Sequence, residues 1–99
     1  MTNILKFDEL LLDLNSYRCF IGESEISLRN KEFFLLHYFL INIGKVISRT
    51  EILEEVWDRN ICCATNTVDV HISKLRKKLR KITKRCFIRT VPCIGYILG

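Results

Sequence analysis

Three absences restrict what this 99-residue sequence can be. It contains no run of about eighteen apolar residues, the length that a membrane-spanning helix requires. Residues 1–6 lack the charged and then apolar pattern of a signal peptide. No paired carboxylates, nucleophile–base pair or phosphate-cradling Gly-rich loop is visible along the chain. We therefore expect a cytoplasmic protein that makes no contact with a membrane and is not an enzyme.

Acidic side chains are missing from the last part of the chain. Residues 1–69 contain 7 Lys/Arg and 11 Asp/Glu, whereas residues 70–99 contain 9 Lys/Arg and no acid. The net charge of +5 is therefore the difference between an acidic and a strongly basic portion. Nucleic acid is the commonest partner of a domain with such a polarised charge.

The composition otherwise favours one folded domain over residues 1–99. Hydrophobic residues make up 48% of the chain, which is enough for a modest core. The five cysteines are odd in number, and the adjacent pair Cys62-Cys63 fits no zinc-site spacing. The two histidines, His37 and His71, fall on different predicted helices. We expect free thiols, no metal and no cofactor.

Residues 66–81 predict an amphipathic helix. Its apolar stripe consists of Val68, Ile72, Leu75 and Leu79, with Ile82 as one further step. Its opposite side carries Asn66, Thr67, Val70, Lys74, Lys77 and Lys81, with His71 and Lys78 on one flank. The only acid is Asp69, in the first turn, where the helix dipole favours an anion. Such a helix suits a core on one side and phosphates on the other.

A basic helix has other interpretations. It can be a solvated surface, an anchor on an anionic membrane, or the target of a calmodulin-like partner. The apolar stripe carries no Trp or Phe, which argues against the membrane. The rest of the sequence has to decide among these readings.

The remaining segments predict an α+β fold. Short apolar segments separated by turn-formers indicate three or four antiparallel strands within 4–28. A mostly apolar helix is expected at 30–42, with Gly44 as its stop signal. The capping box Ser48–Glu51 starts a second helix over 49–57, and a loop follows at 58–65 with Thr65 as a cap for the third.

The chain ends with a predicted β-hairpin over 86–98, whose tip lies at Pro92, Cys93, Ile94 and Gly95. The order is therefore strands, three helices and a hairpin. A helix pair joined by a loop and followed by a hairpin is a winged helix-turn-helix.

These segments resemble the winged-helix effector domain of OmpR/PhoB-type bacterial response regulators along the whole chain. The matching motifs are Leu28, Glu32-Phe33 and Leu35-Leu36; Gly44 to Arg49; Leu53 with Val56-Trp57; Asn66 to Ile72 with Leu75 to Leu79; Thr90-Val91; and Gly95-Tyr96. Several motifs in a fixed order are more specific than any one of them.

The resemblance implies sequence-specific binding of double-stranded DNA and transcriptional control. It places the helix at 66–81 in the major groove and the wing over the adjacent minor groove. Family members generally bind direct repeats at promoters as head-to-tail dimers, under control of a phosphorylated receiver domain. They can contact RNA polymerase through the loop equivalent to 58–65. The chain starts where the effector domain starts, so we expect no receiver domain here.

The outer face of the helix and the resemblance together give the candidate DNA-contacting residues. Base edges are assigned to Thr67, Val70 and Lys74, and phosphates to His71, Lys77, Lys78 and the indole of Trp57. Asn66 and Ser73 stand where many members have Arg. Wing contacts are assigned to Arg89, Thr90 and Tyr96. Arg76 completes the set, although it could instead pair with Asp69, and Tyr96 could instead belong to the core.

Two departures from the family pattern bear on the site. Pro92-Cys93 replaces the usual Arg-Gly at the wing tip, so the arginine expected in the minor groove is missing and Arg89 is the nearest substitute. Arg29 replaces the usual Ser/Thr cap of the first helix, so Asn30 is expected to cap it. A degenerate winged helix that binds a protein partner, such as polymerase or a sister regulator, remains the alternative function.

Overall fold

A computed structural model describes residues 3–57 and 66–99, and it begins with a four-stranded antiparallel sheet. The strands are β1 (Ile4–Phe7), β2 (Leu10–Asp13), β3 (Arg18–Ile21) and β4 (Ser24–Ile26), in the order β1-β2-β3-β4. Leu12 of β2 lies opposite Leu5 and Cys19 of its two neighbours. Alternate residues of β2 and β3 are buried, as expected when one face of a sheet covers a core.

The first helix, α1 (Asn30–Leu40), packs against this sheet and is two residues shorter than predicted. The expectation that Asn30 caps it is wrong. Arg29 occupies the cap position, and its side chain makes no cap hydrogen bond. Its backbone N–H donates instead to the Glu32 carboxylate at 2.9 Å, so the acid of the first turn supplies the missing acceptor. Beyond the helix, Gly44 has a φ of +81°, a conformation that glycine adopts without strain.

The second helix, α2 (Arg49–Val56), begins as the sequence predicts, with Ser48 accepting a hydrogen bond from the Glu51 N–H at 3.1 Å. The Glu51 carboxylate is engaged elsewhere, because it accepts from the Tyr38 hydroxyl at 2.5 Å and thereby raises the pKa of Tyr38 to about 12. The helix ends at Val56, and Trp57 follows in an extended conformation with its side chain buried. The segment 58–65, including the predicted cap Thr65 and the pair Cys62-Cys63, lies outside the described residues.

The third helix, α3 (Asn66–Arg80), leads into a second sheet of three strands. These are β5 (Ile47–Ser48), β6 (Ile88–Val91) and β7 (Gly95–Leu98), in the order β5-β7-β6. The strands β6 and β7 form the wing, and β5, at the start of α2, joins the wing to the helices. A Cβ on Gly95 would lie 2.0 Å from the Ile47 carbonyl oxygen, so only glycine lets these two strands meet.

The three helices and the two sheets share one core. Of the cysteines that the structure describes, Cys19 is buried in this core, whereas Cys86 and Cys93 are exposed, and all three are free thiols. Within 3–57 and 66–99, no helix has the length and apolar character needed to cross a membrane. The observed arrangement is the α+β winged helix-turn-helix that the sequence predicted.

Candidate nucleic-acid interface

One side of α3 is fixed to the core. Its predicted stripe is fully covered, with exposed fractions between 0% and 2% for Val68, Ile72, Leu75 and Leu79. The helix packs through it against α1 and α2. The extension of the stripe to Ile82 is wrong, because the helix ends at Arg80 and Ile82 is 43% exposed. The buried stripe fixes which side of α3 faces outward.

The outward side of α3 carries no acidic side chain. Val70 is 49% exposed, and Ser73, Lys74 and Lys77 are also exposed. Thr67, in the first turn of α3, is half-buried. The backbone of Asn66 begins the helix, and its side chain lies outside the described part of the chain. The result is a helix surface with small or apolar groups near its N-terminus and lysines further along.

The flank of α3 that faces the wing is held by its only acid, Asp69. The Asp69 carboxylate accepts a hydrogen bond from Arg49 Nε at 2.8 Å and another from the Tyr96 hydroxyl. The Tyr96 hydrogen bond and the Arg49 charge outweigh partial burial and lower the pKa of Asp69. The Arg49 guanidinium also lies 5.9 Å from the centre of the Tyr96 ring. One carboxylate thus joins the start of α2, the first turn of α3 and strand β7.

Arg76 lies on the same flank, and the alternative that it pairs with Asp69 is not what the structure shows. Its Nη2 donates to Thr90 Oγ1 at 2.6 Å and its Nε donates to the Ile88 carbonyl at 3.2 Å. The guanidinium also lies 5.3 Å from the centre of the Tyr96 ring. Arg49 already occupies the Asp69 carboxylate, and strand β6 brings the Ile88 carbonyl and the Thr90 hydroxyl within reach of Arg76. Arg76 therefore fixes the wing to α3.

The opposite flank of α3, which faces α1, is held by a buried carboxylate. Lys78 Nζ lies 2.5 Å from Glu32 Oε1, and Glu32 is only 1% exposed. Burial opposes ionisation of Glu32, but the hydrogen bonds from Lys78 and from the Arg29 N–H prevail and lower its pKa. The Lys78 ammonium is thereby directed towards α1 rather than outward.

His71 and Trp57 form an aromatic pair on this same flank. Their ring centres are 5.0 Å apart, with the planes nearly perpendicular. The His71 Nδ1 lies 2.8 Å from the Thr67 carbonyl oxygen, so this nitrogen carries the proton and donates it. Lys31 donates to the Val56 carbonyl at 3.2 Å, close to the indole. The imidazole is half-buried, and its Nδ1 is taken up by this hydrogen bond.

The wing presents little charge at its tip. Pro92, Cys93 and Ile94 are all exposed and form the turn between β6 and β7. Cys93 has a φ of +64°, a region that glycine favours. Arg89 is exposed, and its Nη2 donates to the Gly99 carbonyl at 2.7 Å, away from the tip. Tyr96 is 5% exposed, so its ring belongs to the core and only its hydroxyl takes part in a polar network.

Some residues of this surface were not among the DNA contacts predicted from the sequence, although Lys81 had been placed on the outer side of the helix. Arg49 and Glu32 hold the two flanks of α3, yet the first was assigned only to the start of a helix and the second only to a motif. Arg29 and Lys81 lie beside Lys74 and Lys77 around one surface pocket. The signal available in the sequence was the cation Arg29 at the position where the family usually has a Ser or Thr cap.

The comparisons with known proteins agree with this geometry. A family model described as "Transcriptional regulatory protein, C terminal" matches residues 22–98. The response regulator SaeR of Staphylococcus epidermidis is 46% identical over 93 residues, which cover 93% of this chain and 41% of SaeR. The phosphate regulon transcriptional regulatory protein PhoB of Klebsiella pneumoniae is 37% identical over 93 residues, covering 94% and 41%. The chain therefore spans about two fifths of these curated relatives.

Solved structures extend the match to the whole fold. The Klebsiella pneumoniae RstA DNA-binding domain, in complex with the RstA box, superposes with a TM-score of 0.83 at 26% identity. That match covers 98% of this chain and 97% of the RstA domain. On the family match, the relatives and the shared winged helix, this chain belongs to the family of C-terminal domains of transcriptional regulatory proteins, of the OmpR/PhoB type.

Proposed function

We propose that this protein regulates transcription by binding double-stranded DNA sequence-specifically, with α3 in the major groove and the wing over the adjacent minor groove. The observation that carries the proposal is the outward side of α3. Asp69, the only acid of α3, and Lys78 are both bound to neighbouring elements on the flanks of the helix. The exposed surface of α3 therefore has only neutral and cationic groups. A surface of that composition matches the polyanionic backbone and the base edges together.

The dimensions of the helix fit this role. An α-helix with its side chains is roughly 10–12 Å across, and the major groove of B-DNA is about 12 Å wide. The buried stripe fixes which side of α3 faces outward, and this supports Val70 and Lys74 as the side chains that reach the floor of the groove. Val70 suits a thymine methyl group, and Lys74 suits the O6 and N7 acceptors of guanine.

The phosphate contacts follow from what each side chain has free. Lys77 is exposed and has no carboxylate partner among the described residues, so in this proposal it reaches the DNA backbone. The His71 imidazole and the Trp57 indole serve the groove wall next to α1, with Ser73 at the base-facing side. Asn66 stays a candidate only through its place in the family pattern. Thr90 and Arg89 serve the wall next to the wing. In this scheme the main role of Lys78, Arg76 and Tyr96 is to hold α3 and the wing in place, and contact with DNA is secondary.

The relatives support the same function. PhoB and SaeR are a transcriptional regulatory protein and a response regulator, and the RstA domain is bound to its DNA box. We further propose that the protein acts in the bacterial cytoplasm as a non-enzymatic regulator within a phosphorelay. In this proposal it binds direct-repeat promoter sites as a head-to-tail dimer. Contact with RNA polymerase through the loop 58–65 is part of this proposal, although that loop lies outside the described residues.

Salt dependence tests DNA binding first. We expect log K to fall with log salt at a slope of roughly −4 to −6, because five to seven lysine and arginine side chains would each displace condensed counterions. The measurement is fluorescence anisotropy with a duplex selected from random DNA. A slope near zero, or no binding at low salt by a folded protein, contradicts the proposal and favours the protein-interaction module instead.

A matched pair of substitutions tests the orientation of α3. Lys74→Ala should weaken the selected site by about 1–3 kcal/mol and reduce discrimination at one base pair. Lys77→Ala should weaken selected and scrambled duplexes to the same degree. Lys6→Ala, on the outer face of the four-stranded sheet, is the charge-matched control. If Lys74→Ala also weakens both duplexes equally, α3 does not present this residue to the bases.

A further inference from the structure

An open pocket with a volume of about 300 Å³ lies between the beginning of α1 and the second half of α3. It is lined by Arg29, Glu32, Lys74, Lys77, Lys78 and Lys81. Five cations therefore surround a single carboxylate. The pocket lies on the α1 flank of α3, and the wing lies on the other flank.

The positive charge of this pocket is largely uncompensated. Its one carboxylate, Glu32, is buried and bound to Lys78. Among the residues that the structure describes, no carboxylate oxygen lies within 4 Å of the Nζ of Lys74, Lys77 or Lys81. Glu25 lines an adjoining pocket with Lys81, but its carboxylate is paired with Arg18. These lysines are three or four positions apart, a spacing at which like charges destabilise a helix. An anion seated among them would relieve that repulsion.

From this geometry, and resting on the proposed function, we infer that the pocket binds backbone phosphates of the DNA strand on the groove wall opposite the wing. A helix that fills the major groove touches both walls, and the wing serves only one of them. The other wall faces Arg29 and Lys81. The Arg29 side chain makes no cap hydrogen bond to α1, and its charge adds to that of Lys78 in lowering the pKa of Glu32.

Phosphodiester chemistry fits the lining. A guanidinium can hold two phosphate oxygens at once, whereas each ammonium acts as a mobile point charge. The Glu32 carboxylate would repel an anion if it were alone, but Lys78 neutralises it at 2.5 Å. The phosphate is thereby directed to the rim of the pocket, between Arg29 and Lys81. This contact extends the footprint of the domain beyond α3 and the wing.

The test compares two substitutions in the pocket with one outside it. The double variant Arg29→Gln/Lys81→Gln should make the slope of log K against log salt shallower by about 2, because each lost phosphate contact removes about 0.9. Its dissociation constant at about 0.1 M salt should rise on the order of tenfold or more. The same fold-change should appear for selected and scrambled duplexes. Lys6→Gln should change neither quantity, and thermal unfolding checks that all variants fold.

Duplexes with single neutral methylphosphonate linkages locate the contact. The parent should lose affinity when one or two linkages on the wall opposite the wing are neutral. The double variant should be insensitive to those linkages and keep its sensitivity elsewhere. If the parent binds DNA but the double variant behaves like Lys6→Gln, the pocket is not a phosphate site and the proposed function stands. If the parent itself does not bind DNA, the proposed function fails first.

Discussion

The two flanks of α3 are attached to the rest of the domain in opposite ways. On the wing flank the acid belongs to α3, and Asp69 collects a guanidinium and a hydroxyl from its neighbours. On the α1 flank the acid belongs to α1, and the buried Glu32 holds Lys78 of α3. On the wing flank the one negative charge of α3 is neutralised by an ion pair. On the α1 flank one of its positive charges is neutralised in the same way.

The difference leaves unequal charge on the two sides. Beside α1, four cations remain around a pocket. Beside the wing, Arg76 is tied to Thr90, and the tip offers no cation. We therefore expect backbone attraction to be concentrated on the α1 side. This teaches that a recognition helix can be held by ion pairs on both flanks and still be electrostatically one-sided.

Breaking the α1 flank should have the largest effect. Glu32→Gln keeps an oxygen that can accept from the Arg29 N–H, but it leaves the Lys78 ammonium without its counter-charge. We expect the free energy of unfolding in urea to fall by about 2–3 kcal/mol. Glu25→Gln, which breaks the exposed pair with Arg18, is the matched control and should have little effect. A loss no larger than that of the control would mean that the buried pair contributes nothing net.

Breaking the wing flank should cost less. The Asp69 carboxylate is 39% exposed, so water replaces part of what Asp69→Asn removes. We expect a loss of about 1 kcal/mol in the free energy of unfolding, measured as for Glu32→Gln. If Asp69→Asn proved as costly as Glu32→Gln, exposure would not be what separates the two flanks.

The stability that each flank contributes should also be lost at a different acidic pH. The pKa values of Glu32 and Asp69 are both lowered by folding, so their contributions are present above the unfolded-state pKa and are lost as pH falls through the folded value. The stability difference between parent and Glu32→Gln should be constant near pH 7 and shrink below about pH 4.3. For Asp69→Asn it should shrink below about pH 3.9. Urea unfolding from pH 7 to pH 3 measures both, and a difference that grows in acid contradicts the assignment.

Adding charge to the wing would sharpen the comparison. Pro92→Arg places a guanidinium where the tip has none, and a narrow A·T-rich minor groove attracts such a group. We expect about 1 kcal/mol tighter binding, roughly fivefold, to a site with an A·T-rich flank. The same site with a G·C-rich flank is the control and should gain less. If the parent already strongly prefers the A·T flank and the variant adds nothing, Arg89 is the first candidate to fill the groove.

The wing turn offers the smallest effect. Cys93 adopts a φ of +64°, which costs an L-residue free energy that glycine does not pay. Cys93→Gly should therefore stabilise the domain by about 0.5–1 kcal/mol in urea unfolding. Cys93→Ala keeps the Cβ and should give no such gain. Equal stability of all three proteins would show that this turn relaxes at no cost.

The parts of this molecule that the sequence predicted are those set by local repetition. The stripe of α3 repeats every three or four residues, and its burial follows from that spacing alone. The capping serine of α2 and the hairpin at the chain's end are likewise short-range patterns. The order of these elements was then enough to give the fold class.

Side-chain partners were harder to predict because they depend on distant parts of the chain. Glu32 and Lys78 are 46 positions apart, and nothing near either residue identifies the other. Arg76 is close to Asp69 along α3, yet it pairs with Thr90 because the wing and Arg49 compete for these groups. Ile82 continued the periodic pattern after the helix itself had ended. The candidate DNA contacts on the outward side stay predictions, since they depend on a partner.

The pairing of β5 with β7 also governs how the domain folds and opens. Ile47 lies opposite Tyr96, so a two-residue ladder closes a loop that contains all of α2 and α3. Closing so long a loop costs entropy before its contacts are gained, which favours late formation of this ladder. We expect native-state hydrogen exchange to show the amides of this ladder and of both helices opening together. That outcome would mean that α2 and α3 detach from the rest of the domain in one cooperative opening.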